Sequence, residues 1–214
     1  MSKAKISITT LAVVGALGAL ASASASAATA GWMVNGTLLS GTKALATTAK
    51  IDQDLVLKST AANIELECTG GALAEGTPEI KSPNAGAASS LQFTSCKALT
   101  PDCTLSSSTV GTVPVAFEAT LESTAAVVGT FKPKTKTLLA TFEFGGEKCV
   151  AEGINGVTGT AKVLAPNGQQ EGTVELNRSI VTEASGELKV ASSAAEVKGS
   201  ALVKLASDEP WSFL

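Results

Sequence analysis

The sequence predicts an all-β protein, an antiparallel sandwich or a barrel, held by two disulfides. Three observations carry that expectation. Apolar residues recur at a period of two rather than 3.6. Turn signals cut the chain into on the order of a dozen short segments. Four cysteines, Cys68, Cys96, Cys103 and Cys149, follow an N-terminus that reads as an export signal.

That N-terminus comes first. Lys3 and Lys5 precede an apolar run from about Ile6 to Leu20, and a small-residue tract with A-x-A sites follows. This is the three-part layout of a secretory signal peptide. The run is too short for a comfortable membrane span, which needs about 20 residues. We place cleavage after Ala27, giving a signal peptide over 1–27 and a single all-β domain over 28–214. Paired arginines and a cysteine at the cleavage site are both missing, which argues against twin-arginine and lipoprotein export. The expected product is a secreted protein, extracellular or associated with the cell envelope, with no membrane span after cleavage.

Beyond the signal, "MVNGTLL" carries Asn35-Gly36, a pair that tolerates positive φ at both positions and so marks a hairpin. "IDQDLVL" holds Asp52 and Asp54, a D-x-D that hints at calcium. Leu55, Val56 and Leu57 follow where further oxygen ligands and a glycine are needed, so a polar turn before a strand is the better reading. In "NIELEC", Ile64, Leu66 and Cys68 oppose Glu65 and Glu67. In "PVAFEATLE", Val115, Phe117, Ala119 and Leu121 oppose Glu118, Thr120 and Glu122. "KPKTK" at 132–136 is a turn. "TLLATFEFGG" then sets Leu138, Ala140, Phe142 and Phe144 against Thr137, Thr141 and Glu143. Each pattern is a strand with one dry and one wet face. "APNGQQ" at 165–170 is a further turn. "VTGTAKV" at 157–163 echoes "VKGSALV" at 197–203, but the period is not sustained, so chance recurrence outweighs duplication. The glycines in these segments read as bulges or close sheet contacts.

Composition narrows the function. The chain has 16 basic and 19 acidic residues; loss of Lys3 and Lys5 takes the net charge from −3 to −5. With Arg178 as its one arginine, the chain is a poor nucleic-acid binder. Histidine and tyrosine are absent, which removes a Ser-His-Asp triad, a Cys-His pair and most catalytic zinc sites. A carboxylate pair of glycosidase type or a Ser-Lys dyad survives. Glu65 with Glu67, and Glu118 with Glu143, fall on wet strand faces, where solubilising charge is the commoner role. No catalytic, cofactor or metal residues are assigned.

The cysteine spacings lack the close pairs of a zinc site and the C-x-x-C of a redox site. An even number in an exported chain reads as disulfides. Cys68–Cys96 with Cys103–Cys149 is favoured; the other pairings, including a local Cys96–Cys103 loop around Pro101, stay open. Trp32 and Trp211 lie near the two mature ends. If the end strands pair, they meet, and they are the candidate ligand platform for a glycan; core packing is the competing role. "NGT" at 35–37 and "NRS" at 177–179 match a glycosylation acceptor, a match the bacterial-looking signal discounts.

The stretches "GWMVNGTLL", "IELECTG", "LQFTSCKAL", "CTLSSSTVGTVPV", "FGGEKCV" and "SGELKV…VKGSALVKLASDEPWSF" together resemble a group of secreted actinobacterial proteins that carry a signal peptide and four cysteines. The resemblance spans nearly the whole mature chain. It implies paired cysteines and an all-β fold and transfers no catalytic residue. The function expected is a non-enzymatic structural or binding protein of the extracellular space or envelope, its partner a cell-wall or extracellular glycan or a protein. The alternative is a carbohydrate-binding or carboxylate-based carbohydrate-active protein.

Overall fold

A computed structural model describes residues 30–47, 50–73, 76–123, 126–135, 137–167 and 188–214. The expected signal peptide and the Asn177-Arg178-Ser179 acceptor lie outside them, as does the second half of the 165–170 turn. The described residues hold no helix. In chain order the strands are β1 (Trp32–Val34), β2 (Thr37–Leu38), β3 (Thr42–Ala44), β4 (Lys50–Ser59), β5 (Ile64–Leu73), β6 (Glu79–Lys81), β7 (Ala85–Ala88), β8 (Leu91–Ala98), β9 (Thr104–Leu105) and β10 (Val110–Gly111). They continue as β11 (Val115–Ser123), β12 (Ala126–Pro133), β13 (Leu138–Gly145), β14 (Gly153–Thr158), β15 (Ala161–Pro166), β16 (Lys189–Val190), β17 (Ser193–Ala194), β18 (Glu196–Leu202) and β19 (Trp211–Phe213).

These strands form four antiparallel sheets: a terminal sheet ordered β19-β1-β2, a β5 sheet β10-β8-β5-β4-β18, a β11 sheet β15-β12-β11-β7-β6-β3, and a β13 sheet β17-β16-β14-β13-β9. Among the described residues the sheets keep open edges and do not close into a barrel; the sandwich is the arrangement found. Two apolar clusters hold it together. The larger joins the β5 and β13 sheets with Ala88 and Val115 of the β11 sheet, and includes Leu66, Phe142, Phe144 and Val190. The smaller packs Trp32, Trp211 and Phe213 of the terminal sheet on Ile80, Phe117 and Val127 of the β11 sheet. Phe131 touches both.

The local signals act as their chemistry requires. Asn35 and Gly36 take φ of 50° and 69°, and the hairpin pairs Val34 with Thr37. On β5, Ile64, Leu66 and Cys68 are buried and the two glutamates between them are half-exposed. On β11, Val115, Phe117 and Ala119 are buried, but Leu121 is 39% exposed, beside a register shift near the hairpin end. On β13 the period breaks. Leu138 pairs with Thr158 and Ala140 with Val157, so Leu139 is an extra residue, a β-bulge. Its side chain is buried too. Asp52 and Asp54 lie inside β4, on its outer face, rather than in a turn before it. The two echoed segments have different jobs. Gly159 (φ 94°) turns the chain between β14 and β15, in different sheets. Gly199 (φ 132°) sits at a register shift within β18, where a Cβ would lie 2.5 Å from the Asp54 carbonyl oxygen.

The two ends of the described chain are joined. Gly31 N–H donates to Leu214 O at 3.1 Å, and Leu214 N–H donates to Gly31 O at 2.9 Å. Outside the pair, Glu209 accepts from Asn35 Nδ2 (2.9 Å), Lys43 Nζ (2.5 Å) and Ser207 Oγ (2.6 Å). The Lys43 hydrogen bond, then that of Ser207, holds the Glu209 carboxyl below the usual carboxylate range. A depressed carboxylate stabilises the fold above its unfolded pKa of about 4.3, and that contribution is lost as pH falls through the folded value. Glu209→Gln is therefore expected to melt slightly below the native protein at pH 7. The gap should close in scans at progressively lower pH, below about 4. A gap that stays constant would mean the carboxylate charge contributes nothing.

Candidate functional site

The four cysteines pair as Cys68–Cys96 and Cys103–Cys149, and no cysteine is free. Cys68 and Cys96 face each other directly across β5 and β8. Cys96 N–H points away from that partner, to Ser108 O at 2.9 Å, so the bridge occupies a non-hydrogen-bonded pair, where opposed side chains come closest. Cys103 precedes β9 and Cys149 lies in the loop after β13, so the second bridge fastens the end of the β9–β13 ladder. Gly146 in that loop has φ of 131°, and a Cβ there would stand 2.4 Å from the Asp102 carbonyl oxygen. These bridges are structural: both sulfurs of each are consumed, and Cys68, Cys96 and Cys149 are buried.

The carboxylates do not form a cleft. Glu65 pairs with Lys58 at 2.9 Å, Glu67 with Lys97 at 2.6 Å and Glu118 with Lys132 at 3.1 Å, each on a solvent-facing strand surface. The Lys97 pKa is raised, first by its hydrogen bond to Glu67 and then by that residue's charge. Glu118 and Glu143 belong to different sheets. Asp52 accepts from Ser200 Oγ at 3.1 Å. Among the described residues no group of three or more His, Cys, Asp or Glu side chains is gathered closely enough to hold a metal ion, and no helix is long and apolar enough to cross a membrane.

The end strands pair as the tryptophan argument required, Trp32 opposite Phe213 and Val34 opposite Trp211. The indoles meet edge to face, with ring centroids 5.6 Å apart. They are 5% and 6% exposed, so neither presents an open face on which a sugar could stack from solvent. Burial of these large apolar rings, Trp32 against Phe117, Phe213 and Trp211, outweighs exposure of two N–H groups.

What the pair does border is a cavity of about 300 Å³ between the sheets. All four sheets contribute wall, with Trp32 and Trp211, Leu57 and Leu66, Phe117 and Phe142 among the residues. A well-packed interior has few voids larger than a water molecule, so this space is out of scale for packing error. It exists because inward positions carry small side chains: Ala87 and Ala88 on β7, Gly129 on β12, Ala140 on β13 and Ala161 on β15. Wall residues of β4, β15 and β18 such as Ile51, Val163 and Ala201 are half-exposed, so the described residues alone do not seal the cavity. Among the described residues its wall has no ionisable side chain. Among the described wall residues, three carry a polar nitrogen or oxygen in the side chain: Trp32, Thr112 and Trp211. Trp32 Nε1–H donates to Ala85 O at 2.9 Å, and Thr112 Oγ1 accepts from Leu91 N–H at 2.9 Å. Trp211 Nε1–H is buried with no acceptor among the described residues. The sequence signal was indirect: a chain with 4% aromatic residues and 20 glycines under-fills a sandwich of this area, but nothing in it says where.

Comparison with known proteins finds no match among family models, curated proteins or solved structures.

Proposed function

We propose that this is an exported, non-catalytic binding module of the extracellular space or cell envelope that holds a small apolar molecule between its sheets. The observation that carries the reading is the cavity, about 300 Å³ behind a wall that has no ionisable side chain among the described residues. Small-molecule sites are concave, mostly apolar and on the order of 300–1,000 Å³. An apolar cavity of about 150 Å³ stays dry and takes up benzene, so this one suits about a dozen non-hydrogen atoms. The two disulfides and the basic, then apolar, N-terminus support export. A glycan role has less support, since the two tryptophans are buried and the carboxylates are paired with lysines on outer faces.

Pentylbenzene tests the reading. It is expected to bind the oxidised protein with a Kd of about 100 µM, given roughly −0.5 kcal/mol per non-hydrogen atom for a ligand this small. Binding should raise the melting temperature and change the emission of Trp32 and Trp211, the chain's two tryptophans. The control variant is Gly129→Leu. Val127, Gly129 and Phe131 share the inward face of β12, and a Cβ at Gly129 meets only Phe131 Cε2 at 3.4 Å and Val163 O at 3.9 Å. The new side chain occupies part of the void, so the variant is expected to be more stable by about 0.5–2 kcal/mol and to bind pentylbenzene more weakly. A wild-type protein indifferent to pentylbenzene, or a variant that binds as well, would sink the reading.

A further inference from the structure

The sequence holds three Asn-Gly pairs, Asn35-Gly36, Asn155-Gly156 and Asn167-Gly168. In such a pair the glycine backbone nitrogen can reach the asparagine side-chain carbonyl, because no Cβ crowds the approach. The fold treats the three differently. Asn155 is buried within β14, and its Nδ2 donates to the Ala151 and Gly153 carbonyls at 2.9 and 3.0 Å. A Cβ at Gly156 would stand 2.8 Å from Leu138 Cδ1, so the space beside that pair is filled. Asn167 is half-buried and clamped to β19: its Nδ2 donates to Phe213 O at 2.7 Å, and its Oδ1 accepts from Phe213 N–H at 2.8 Å. Asn35 and Gly36 are the exposed tip of the β1–β2 hairpin. Among the described residues the Asn35 amide is held only by Glu209, whose Oε1 accepts from Nδ2 at 2.9 Å. A Cβ at Gly36 would meet nothing within 4 Å, and the Gly36 N–H has no backbone acceptor among the described residues. Here alone the nucleophilic nitrogen is unengaged and has room around it.

We propose that Asn35-Gly36 is a self-modifying site, at which the chain converts its own asparagine to isoaspartate and aspartate and so loosens the terminal sheet. The Gly36 nitrogen gives its proton to solvent and bonds to Asn35 Cγ. The Cγ–Nδ2 bond breaks, and the amide nitrogen takes a proton from water and leaves as ammonia. Water then adds to one carbonyl of the resulting cyclic imide, and that carbonyl's bond to the ring nitrogen opens. Opening at the main-chain carbonyl leaves isoaspartate; opening at the side-chain carbonyl leaves aspartate. Nothing is oxidised or reduced. Either product replaces the donor to Glu209 with a carboxylate, so two like charges face each other across a former hydrogen bond. Isoaspartate also inserts a methylene into the main chain of a two-residue loop, whose length sets the pairing of Val34 with Thr37. Both changes act on β1, which Asn35 N–H ties to Pro210 O at 2.9 Å and which carries Trp32 of the cavity wall.

The oxidised protein, held for weeks in warm, mildly alkaline buffer made with ¹⁸O-enriched water, tests this. Samples are digested in acid, where the reaction is slow, and the peptides are mapped by mass. Asn35 is expected to turn into the acid, carrying a solvent oxygen, at least about tenfold faster than Asn155 or Asn167, whose side-chain hydrogen bonds must break first. Isoaspartate should accompany aspartate, since the imide opens on both sides and direct hydrolysis of the amide gives aspartate alone. Gly36→Ala puts a methyl beside the nucleophile and should slow conversion at Asn35 severalfold, leaving the other two sites unchanged. Asn155 or Asn167 converting as fast as Asn35, or a product without isoaspartate, overturns the site. The acid form, separated by ion exchange, should melt about 2–8 °C below the unmodified protein, the value of one or two lost hydrogen bonds in a chain of this size. Equal melting overturns the loosening of the terminal sheet. Alanine is strained at the φ of 69° that Gly36 adopts, but the ranking of the three asparagines is read on the native sequence and decides the matter even if Gly36→Ala does not fold.

Discussion

Reduction of both disulfides is expected to lower the melting temperature by about 15–30 °C or to abolish cooperative unfolding altogether. The bridges close loops of 28 and 46 residues. Chain-entropy estimates for loops of those lengths are about 3.5 and about 4 kcal/mol. The loops do not overlap, so the two effects add to first order, and their sum is comparable to the whole stability of an ordinary domain, about 5–15 kcal/mol. For a chain of this size each kcal/mol is worth about 2–4 °C. The order of opening follows from burial. Cys68 and Cys96 are buried between paired strands, whereas Cys103 is half-exposed at a turn. Graded reductant with alkylation and peptide mapping should show Cys103 and Cys149 labelled before Cys68 and Cys96. Labelling in the reverse order, or a melting temperature indifferent to reductant, contradicts this account.

Trp32→Ala is expected to cost about 3–5 kcal/mol, the range for removing a large buried aromatic, and so about 6–20 °C. Trp32 is the hub of the smaller apolar cluster. It makes edge contacts with Phe117, Trp211 and Phe213 at centroid distances of 6.3, 5.6 and 5.1 Å. Its N–H also ties β1 to the Ala85 carbonyl of β7. Losing it enlarges a region already short of atoms, so little collapse can soften the loss. Trp32→Phe keeps a ring and drops the hydrogen bond, and should cost less than half as much. Thermal or denaturant unfolding of the two variants checks the ranking. Equal losses would assign the effect to the hydrogen bond rather than to the ring.

The fold was legible where alternation is strict. β5, the start of β11 and the end of β13 bury the side chains that a period of two selects. It failed at Leu139, because a bulge inserts one residue without altering composition, and at Leu121, where the strand runs past the core it packs on. Cysteine pairing was partly legible: spacing excluded metal and redox sites, but only the register of β5 with β8 brings Cys68 opposite Cys96. The tryptophans were legible as a pair and not as to surroundings, since pairing of end strands says nothing of which face is covered. The place of the cavity was not legible. A void is a shortfall of volume between sheets, and Ala87, Ala88 and Gly129 announce small size without announcing what faces them.

The closure of the terminal sheet has a kinetic consequence. β1 lacks its principal neighbour until β19 exists, and β4 lacks one edge partner until β18 does. Pairings this distant in sequence carry a high contact order and form slowly. During synthesis the emerging polypeptide has no way to complete either sheet until β18 and β19 have followed the strands they pair with.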